Sequence, residues 1–229
     1  MHKNLRWLGL YAFASFVELL GDITGDARLT YVSKPLLMPI LGLWFYFETK
    51  AYRSYLRGAM LVGLAFATLG DTLLMLNGRP DGFPYFLAGL GAFLITQICY
   101  AAGFQSVVRI TQGYLKQKPV FILPFIAYLV GLMALLWSGI PPEMKIPVAL
   151  YGTILTTMAV SVFNLKEQVA LDAFSMLFYG AFLFVLSDSM IAVAKFAYAF
   201  DDAHIGIMVT YIAGQWLLVS GAAVLVREV

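Results

Sequence analysis

The chain has 229 residues, 61% of them hydrophobic and 12% charged, with a net charge of +2 at pH 7 and a mean hydropathy of +0.83. That composition excludes an ordinary soluble domain and fits an integral membrane protein, and so small a charge gives no footing for nucleic acid. One cysteine, Cys99, rules out an intrachain disulfide, and two histidines, His2 and His204, make a zinc or di-iron centre a poor fit, so neither metal nor organic cofactor is implied.

A bilayer core takes about 20 apolar residues per helix. The basic start, Met1-His2-Lys3-Asn4-Leu5-Arg6, is like a signal-peptide n-region, but the apolar run behind it outlasts an h-region, contains Glu18 and has no clear cleavage site. It reads as a first transmembrane helix over 5–23. A second, short span covers 34–49 and opens on Lys34-Pro35. The third and fourth are 57–77 and 85–106, separated by the turn Asn77-Gly78-Arg79-Pro80-Asp81-Gly82. Lys116-Gln117-Lys118-Pro119 leads into a fifth span over 119–138, and Gly139-Ile140-Pro141-Pro142 separates it from a sixth over 146–164. The seventh and eighth are 174–194 and 205–226. Pro35, Pro119 and Pro147 sit near expected helix starts, where a missing N–H costs least. The expected fold is all-α: a single integral-membrane domain over 1–229, a bundle of about eight transmembrane helices with both termini on one side.

Lys and Arg counts set orientation. With the N-terminus inside, the inside segments hold Lys3, Arg6, Lys50, Arg53, Arg57, Arg109, Lys116, Lys118, Lys166 and Arg227; the outside ones hold Arg28, Lys34, Arg79, Lys145 and Lys195. Ten against five favours cytoplasmic termini, and a bacterial inner membrane is the expected location.

Two carboxylates interrupt the apolar runs: Asp71 in LVGLAFATLGDTLLML and Asp188 in FLFVLSDSMIAVA. A carboxylate at hydrocarbon depth costs a few kcal/mol even on the lenient insertion scale, and such residues usually face a bundle interior. Each lies 14 residues into its expected span, roughly 21 Å at 1.5 Å per residue, so the two are expected at one depth. Glu18, Lys34, Tyr151, Tyr211 and Gln215 are expected in the same half of the bilayer, with Tyr211 and Gln215 on one helical face. Gly89, Phe93, Gln97, Tyr100 and Phe104 form a stripe at helical spacing. Gly180, Ala181, Phe184 and Ser187 are small or apolar neighbours of Asp188, suited to close helix approach. Each polar residue also has a plainer role: Tyr, Gln and Ser as interhelical hydrogen-bond partners, Glu18 as a partner of Lys34 or Arg28, and Lys34 as a side chain reaching for the interface.

Taken in order, several short motifs resemble the YhhN/TMEM86 family of integral membrane proteins, which includes lysoplasmalogenases. They are Lys34-Pro35-Leu36 with Pro39, Leu69-Gly70-Asp71-Thr72-Leu73-Leu74-Met75, and Gly91-Ala92-Phe93-Leu94 followed by Gln97 and Tyr100. Further along are Tyr151 with Met158, Gly180-Ala181-Phe182-Leu183-Phe184 leading to Ser187-Asp188, and Tyr211 with Gln215. The family often has histidine where this chain has Gln97, and an amide there would orient substrate or a carboxylate. The resemblance implies Asp71 and Asp188 as a catalytic pair. It also implies a lysophospholipid taken from the membrane as substrate, and for that substrate Lys34, Gln97, Tyr100, Tyr151, Ser187, Tyr211 and Gln215 are the expected binding residues.

The implied reaction is hydrolysis of a vinyl ether, which is acid-promoted. Two carboxyl groups in a poorly solvated site titrate unequally, one serving as acid and the other as base. Hydrolysis of another lysophospholipid and proton-coupled transport are the alternatives. An intramembrane aspartyl protease is disfavoured, because its Gly-x-Gly-Asp and Tyr-Asp signatures would need glycine at Thr68 and tyrosine at Ser187.

Overall fold

The computed structural model describes residues 5–76, 82–108, 113–201 and 203–228. His2, Lys3, the turn residues 77–81 and Arg109 of the sequence reading lie outside the described residues. Among the described residues there is no strand. The helices are α1 (Leu5–Thr24), α2 (Ala27–Thr49), α3 (Tyr55–Met75), α4 (Gly82–Val107), a single turn α5 (Tyr114–Gln117), α6 (Leu123–Leu136), α7 (Lys145–Phe163), α8 (Leu171–Phe196) and α9 (Ala203–Glu228). A 3₁₀ turn over Pro119–Ile122 runs straight into α6.

Seven of these helical stretches, beginning in α1, α3, α4, the 3₁₀ turn before α6, a second 3₁₀ turn over Pro142–Met144 before α7, α8 and α9, are long and apolar enough to cross a membrane. The outer surface agrees: Ile146 is 81% exposed, Leu171 76% and Phe13 67%. Large apolar side chains displayed this widely would drive association in water, whereas lipid solvates them. The chain is a multi-pass integral membrane protein.

The second expected span needs correction. α2 starts at Ala27, not at 34, because Asp26 caps it: its Oδ1 accepts the backbone N–H of Arg28 at 2.9 Å. Gly25, with φ at 70°, supplies the left-handed residue that ends α1 and turns the chain into that cap. Pro35 and Pro39 therefore lie inside α2 rather than near its start. Each lacks an N–H and leaves the carbonyl four residues back without its helical donor, a break that neighbouring helices make tolerable in membrane proteins. With Arg28, Lys34 and Glu48 along its length, α2 is long enough to span a bilayer but falls outside the seven most apolar stretches.

Contacts gather the chain into two compact units: 1–103 with 222–229, and 104–221. In the first, α2 packs between α1 and α3. α1 and α2 touch at Gly21, where an added Cβ would come within 2.7 Å of Thr30 Oγ1. α3 and α4 pack antiparallel through glycines that receive rings or branched chains: Gly63 meets Tyr100, Gly70 meets Phe93, and Gly89 meets Leu74. Thr96 locks this seam by donating to the carbonyl of Gly63 at 3.0 Å. Gly89, Phe93 and Tyr100 of the expected α4 stripe form this seam, and Tyr100 is wholly enclosed.

In the second unit α8 packs on α6, α7 and α9. An α8–α9 seam is set by two glycines facing each other. A Cβ on Gly180 would lie 2.6 Å from the amide nitrogen of Leu218, and one on Gly214 2.9 Å from that of Phe184. Phe163 of α7 gathers Phe125 of α6 and Phe174 and Phe178 of α8, with ring centroids 5.4 to 6.5 Å away.

Candidate active site

In the first unit, α1 turns a stripe inward at helical spacing, Tyr11, Ala14, Ser15 and Glu18, all buried. The stripe puts the Tyr11 phenol within electrostatic reach of Asp71 on α3 and Tyr100 on α4. Asp71 is only 3% exposed, and it follows Gly70, whose missing side chain lets the Phe93 ring sit against the α3 backbone. Gln97, one turn before Tyr100 on α4, is fully buried. Neither its Oε1 nor its Nε2 has a hydrogen-bond partner among the described residues. Buried amides are ordinarily satisfied, and an unmade bond costs about 1–3 kcal/mol, so an unpartnered pair of amide atoms invites a ligand group or a water.

Glu18 and Lys34 lie nearby in the chain's first hairpin of helices. Ser33 donates to Glu18 Oε2 at 2.6 Å, and Lys34 and Asp22 are within electrostatic reach of the Glu18 carboxylate. Because α2 begins at Ala27, Lys34 stands two turns inside the helix, about 10 Å along its axis, and its side chain is half-buried.

In the second unit, Tyr151 of α7 donates to Asp188 Oδ2 at 2.5 Å. This is the short end of the O–H···O⁻ range, where such bonds are strongest. Beside it, the hydroxyls of Tyr128 and Ser189 are 2.7 Å apart, and Asp188 lies within electrostatic reach of Tyr128. Ser187, adjacent in sequence to Asp188 but fully buried, points the other way and donates to the carbonyl of Ile207 on α9 at 3.0 Å. Tyr211 packs edge-on against Phe184 at 5.7 Å, and Gln215, one turn further along α9, is fully buried. Among the described residues no group of three or more His, Cys, Asp or Glu is placed to hold a metal ion.

Each intramembrane aspartate thus lies near phenols of its own unit, Tyr11 for Asp71 and Tyr151 and Tyr128 for Asp188. A scan against known families matches the YhhN family over residues 29–222. The chain belongs to the YhhN family. Among curated proteins it is similar to the lysoplasmalogenase TMEM86B of Homo sapiens, 27% identical over 221 residues, covering 95% of this chain and 86% of that protein. It is likewise similar to lysoplasmalogenase TMEM86B of Rattus norvegicus, 28% identical over 222 residues and covering 95% and 84%. The Mus musculus protein of that name is 26% identical, covering 95% and 86%. No solved structure matches.

Within this YhhN chain the sequence reading missed Tyr11, Tyr128 and Ser189. Tyr11 carried a signal: Tyr11, Ser15 and Glu18 are polar groups at helical spacing in an apolar run, the pattern expected of a face turned from lipid. Tyr128 carried none, because a lone tyrosine in a lipid-rich helix is as consistent with an interfacial anchor. Ser187 was grouped with Asp188 as a neighbour, yet consecutive residues on a helix point about 100° apart, and the two side chains address different helices.

Proposed function

We propose that this protein is an intramembrane hydrolase that cleaves the vinyl-ether bond of lysoplasmalogens, with Asp71 and Asp188 as its catalytic pair. The observation that carries the reading is Asp188 held by a short hydrogen bond from Tyr151 inside an apolar helix, in a chain whose relatives are named lysoplasmalogenases.

The chemistry asks for a proton donor and a proton acceptor. The donor delivers a proton to the vinyl carbon remote from oxygen, leaving an oxocarbenium ion at the carbon bonded to oxygen. Water attacks that carbon and gives a proton to the second, ionised carboxyl. The hemiacetal then collapses: the C–O bond breaks, the glycerol oxygen takes that proton back, the hemiacetal hydroxyl returns its proton to the first carboxylate, and a fatty aldehyde leaves beside a glycerophospho-alcohol. One carboxyl serves as acid and a second, ionised, stabilises the cation and takes the proton from water, as in glycosidases with similar transition states. General acid–base catalysis supplies about 10²–10⁴-fold, and electrostatic stabilisation of the cation adds to it.

The phenols of Tyr100, Tyr151 and Tyr211 orient carboxyls and water in this reading, with Ser187 fixing the α8–α9 seam beneath Asp188. The amides of Gln97 and Gln215 receive the glycerol oxygens, and Lys34 meets the lipid phosphate. The unpartnered amide of Gln97 supports a polar ligand there. Cytoplasmic termini are supported by the ten-to-five distribution of Lys and Arg.

The test is aldehyde release by purified protein in detergent from vinyl-ether, alkyl-ether and ester lysolipids side by side. Release from the vinyl ether alone is expected, with Asp71→Asn and Asp188→Asn each losing at least about 100-fold while remaining folded. Ester hydrolysis without aldehyde release would move the protein to another lysolipid class, and near-normal activity in either variant would remove that aspartate from the pair.

A further inference from the structure

Between α6, α7 and α8 lies a cavity of about 480 Å³ lined by Phe125, Tyr128, Ala159, Phe178, Val185 and Ser189, among others. Its α8 wall is a stripe at helical spacing from Phe178 to Ser189, positions eleven apart and so about 16 Å along the axis. The two polar lining residues, Tyr128 and Ser189, bond to each other and stand at the end next to Asp188. Everything else in the wall is apolar or aromatic. At the Phe178 end, Phe125 and Phe178 are both backed by Phe163. Two further wall residues, Phe182 and Leu186, are 58% and 38% exposed on the lipid-facing surface.

From this geometry we infer that the cavity binds the alkenyl chain of the substrate, with the vinyl-ether end at Tyr128–Ser189 beside Asp188 and the methyl end toward Phe125 and Phe178. The inference rests on the hydrolase reading above and adds the site that sets chain-length preference. The occupant follows from the wall. A slot this long, dry along its length and polar only at the end beside a carboxylate, matches one extended hydrocarbon chain carrying one reactive polar end. Exposed Phe182 and Leu186 make its outer side continuous with the lipid phase, so a chain enters sideways without crossing water. A two-chain lipid would leave its second chain outside, which favours a lysolipid.

Two measurements test it. In the first, a 1-O-alkyl lysophospholipid with a diazirine near its terminal methyl, which has no vinyl ether to cleave, is photolysed with purified protein in detergent. Saturable label on residues 124–125 or 178–182, competed by the unlabelled lipid and reduced at least tenfold in Ala159→Phe, is expected. Label that maps elsewhere or resists competition overturns the assignment. In the second, kcat/KM is followed along a series of lysoplasmenyl chain lengths. Each methylene buried is worth about fourfold until the slot is full. Ala159→Phe should lower the ratio of long-chain to short-chain kcat/KM at least tenfold, and Val185→Ala should raise it. Ratios unchanged in both variants overturn the proposal. Expected labelling without aldehyde release from any lipid would sink the hydrolase and leave the chain site standing; aldehyde release with displaced label would do the reverse.

Discussion

Tyr151 and Asp188 show how one bond decides what an intramembrane carboxylate does. The phenol donates to one carboxylate oxygen and so fixes the orientation of the group. Tyr151→Phe keeps the ring and removes only that donor. A hydrogen bond to a charged group is worth about 1.5–3 kcal/mol, so kcat/KM should fall about 10- to 150-fold, with KM little changed if the bond tightens in the transition state. A fall in affinity alone would instead make Tyr151 a binding residue. Gln97 poses the opposite case, because its buried amide atoms lack partners among the described residues. Gln97→Leu removes that penalty at similar volume. It should raise the thermal midpoint in detergent, by up to about 1–3 kcal/mol of stability, while lowering activity, the trade expected where a site keeps a polar group for its ligand. Lower stability together with lower activity would mean the amide is structural. Both residues were visible in the sequence as polar interruptions of apolar helices. Their partners were not, because a hydrogen bond between α7 and α8 depends on the rotation of both helices, and a turn of uncertainty in a helix start blurs that rotation.

Helix ends were legible wherever charge or turn residues bounded an apolar run. The spans read as 57–77, 85–106, 146–164, 174–194 and 205–226 fall within a few residues of α3, α4, α7, α8 and α9. Only the start of α2 was misplaced, because Lys34-Pro35 imitates a helix start, whereas the true start at Ala27 is set by the Asp26 cap in a stretch too polar to count as membrane. The packing seams were partly legible: Gly180 was recognised as a site of close approach, but its partner Gly214, on another helix, could not be read from spacing within one element. That seam makes a quantitative prediction. Gly180→Ala places a Cβ 2.6 Å from a backbone nitrogen, which cannot move as a side-chain tip can. It should cost about 1–3 kcal/mol as overpacking and lower the thermal midpoint. Gly131→Ala, in α6 with nothing within 4 Å of the new Cβ, should gain about 0.5–1 kcal/mol from helix propensity. Equal responses from the two would show that the α8–α9 contact does not govern stability.

At the scale of the molecule the chemistry is divided in sequence as well as in structure. Asp71 belongs to the unit built on residues 1–103 and Asp188 to that of residues 104–221, and each brings its own phenols: Tyr11 and Tyr100 with the first, Tyr151 and Tyr128 with the second. If one reaction uses both carboxyls, neither set of residues is sufficient, and the energetics must show it. Residues that act as one catalytic unit are grossly non-additive, because once one is gone the other has little left to contribute. Asp71→Asn with Asp188→Asn should therefore be no more than about threefold worse than the weaker single variant, even though each single loss is at least about 100-fold. Multiplicative losses, 10⁴-fold or more on the same scale, would instead describe two carboxylates working on separate steps. The cycle is read by aldehyde release in detergent, where no gradient exists, so full activity there also argues against proton-coupled transport as the role of either aspartate.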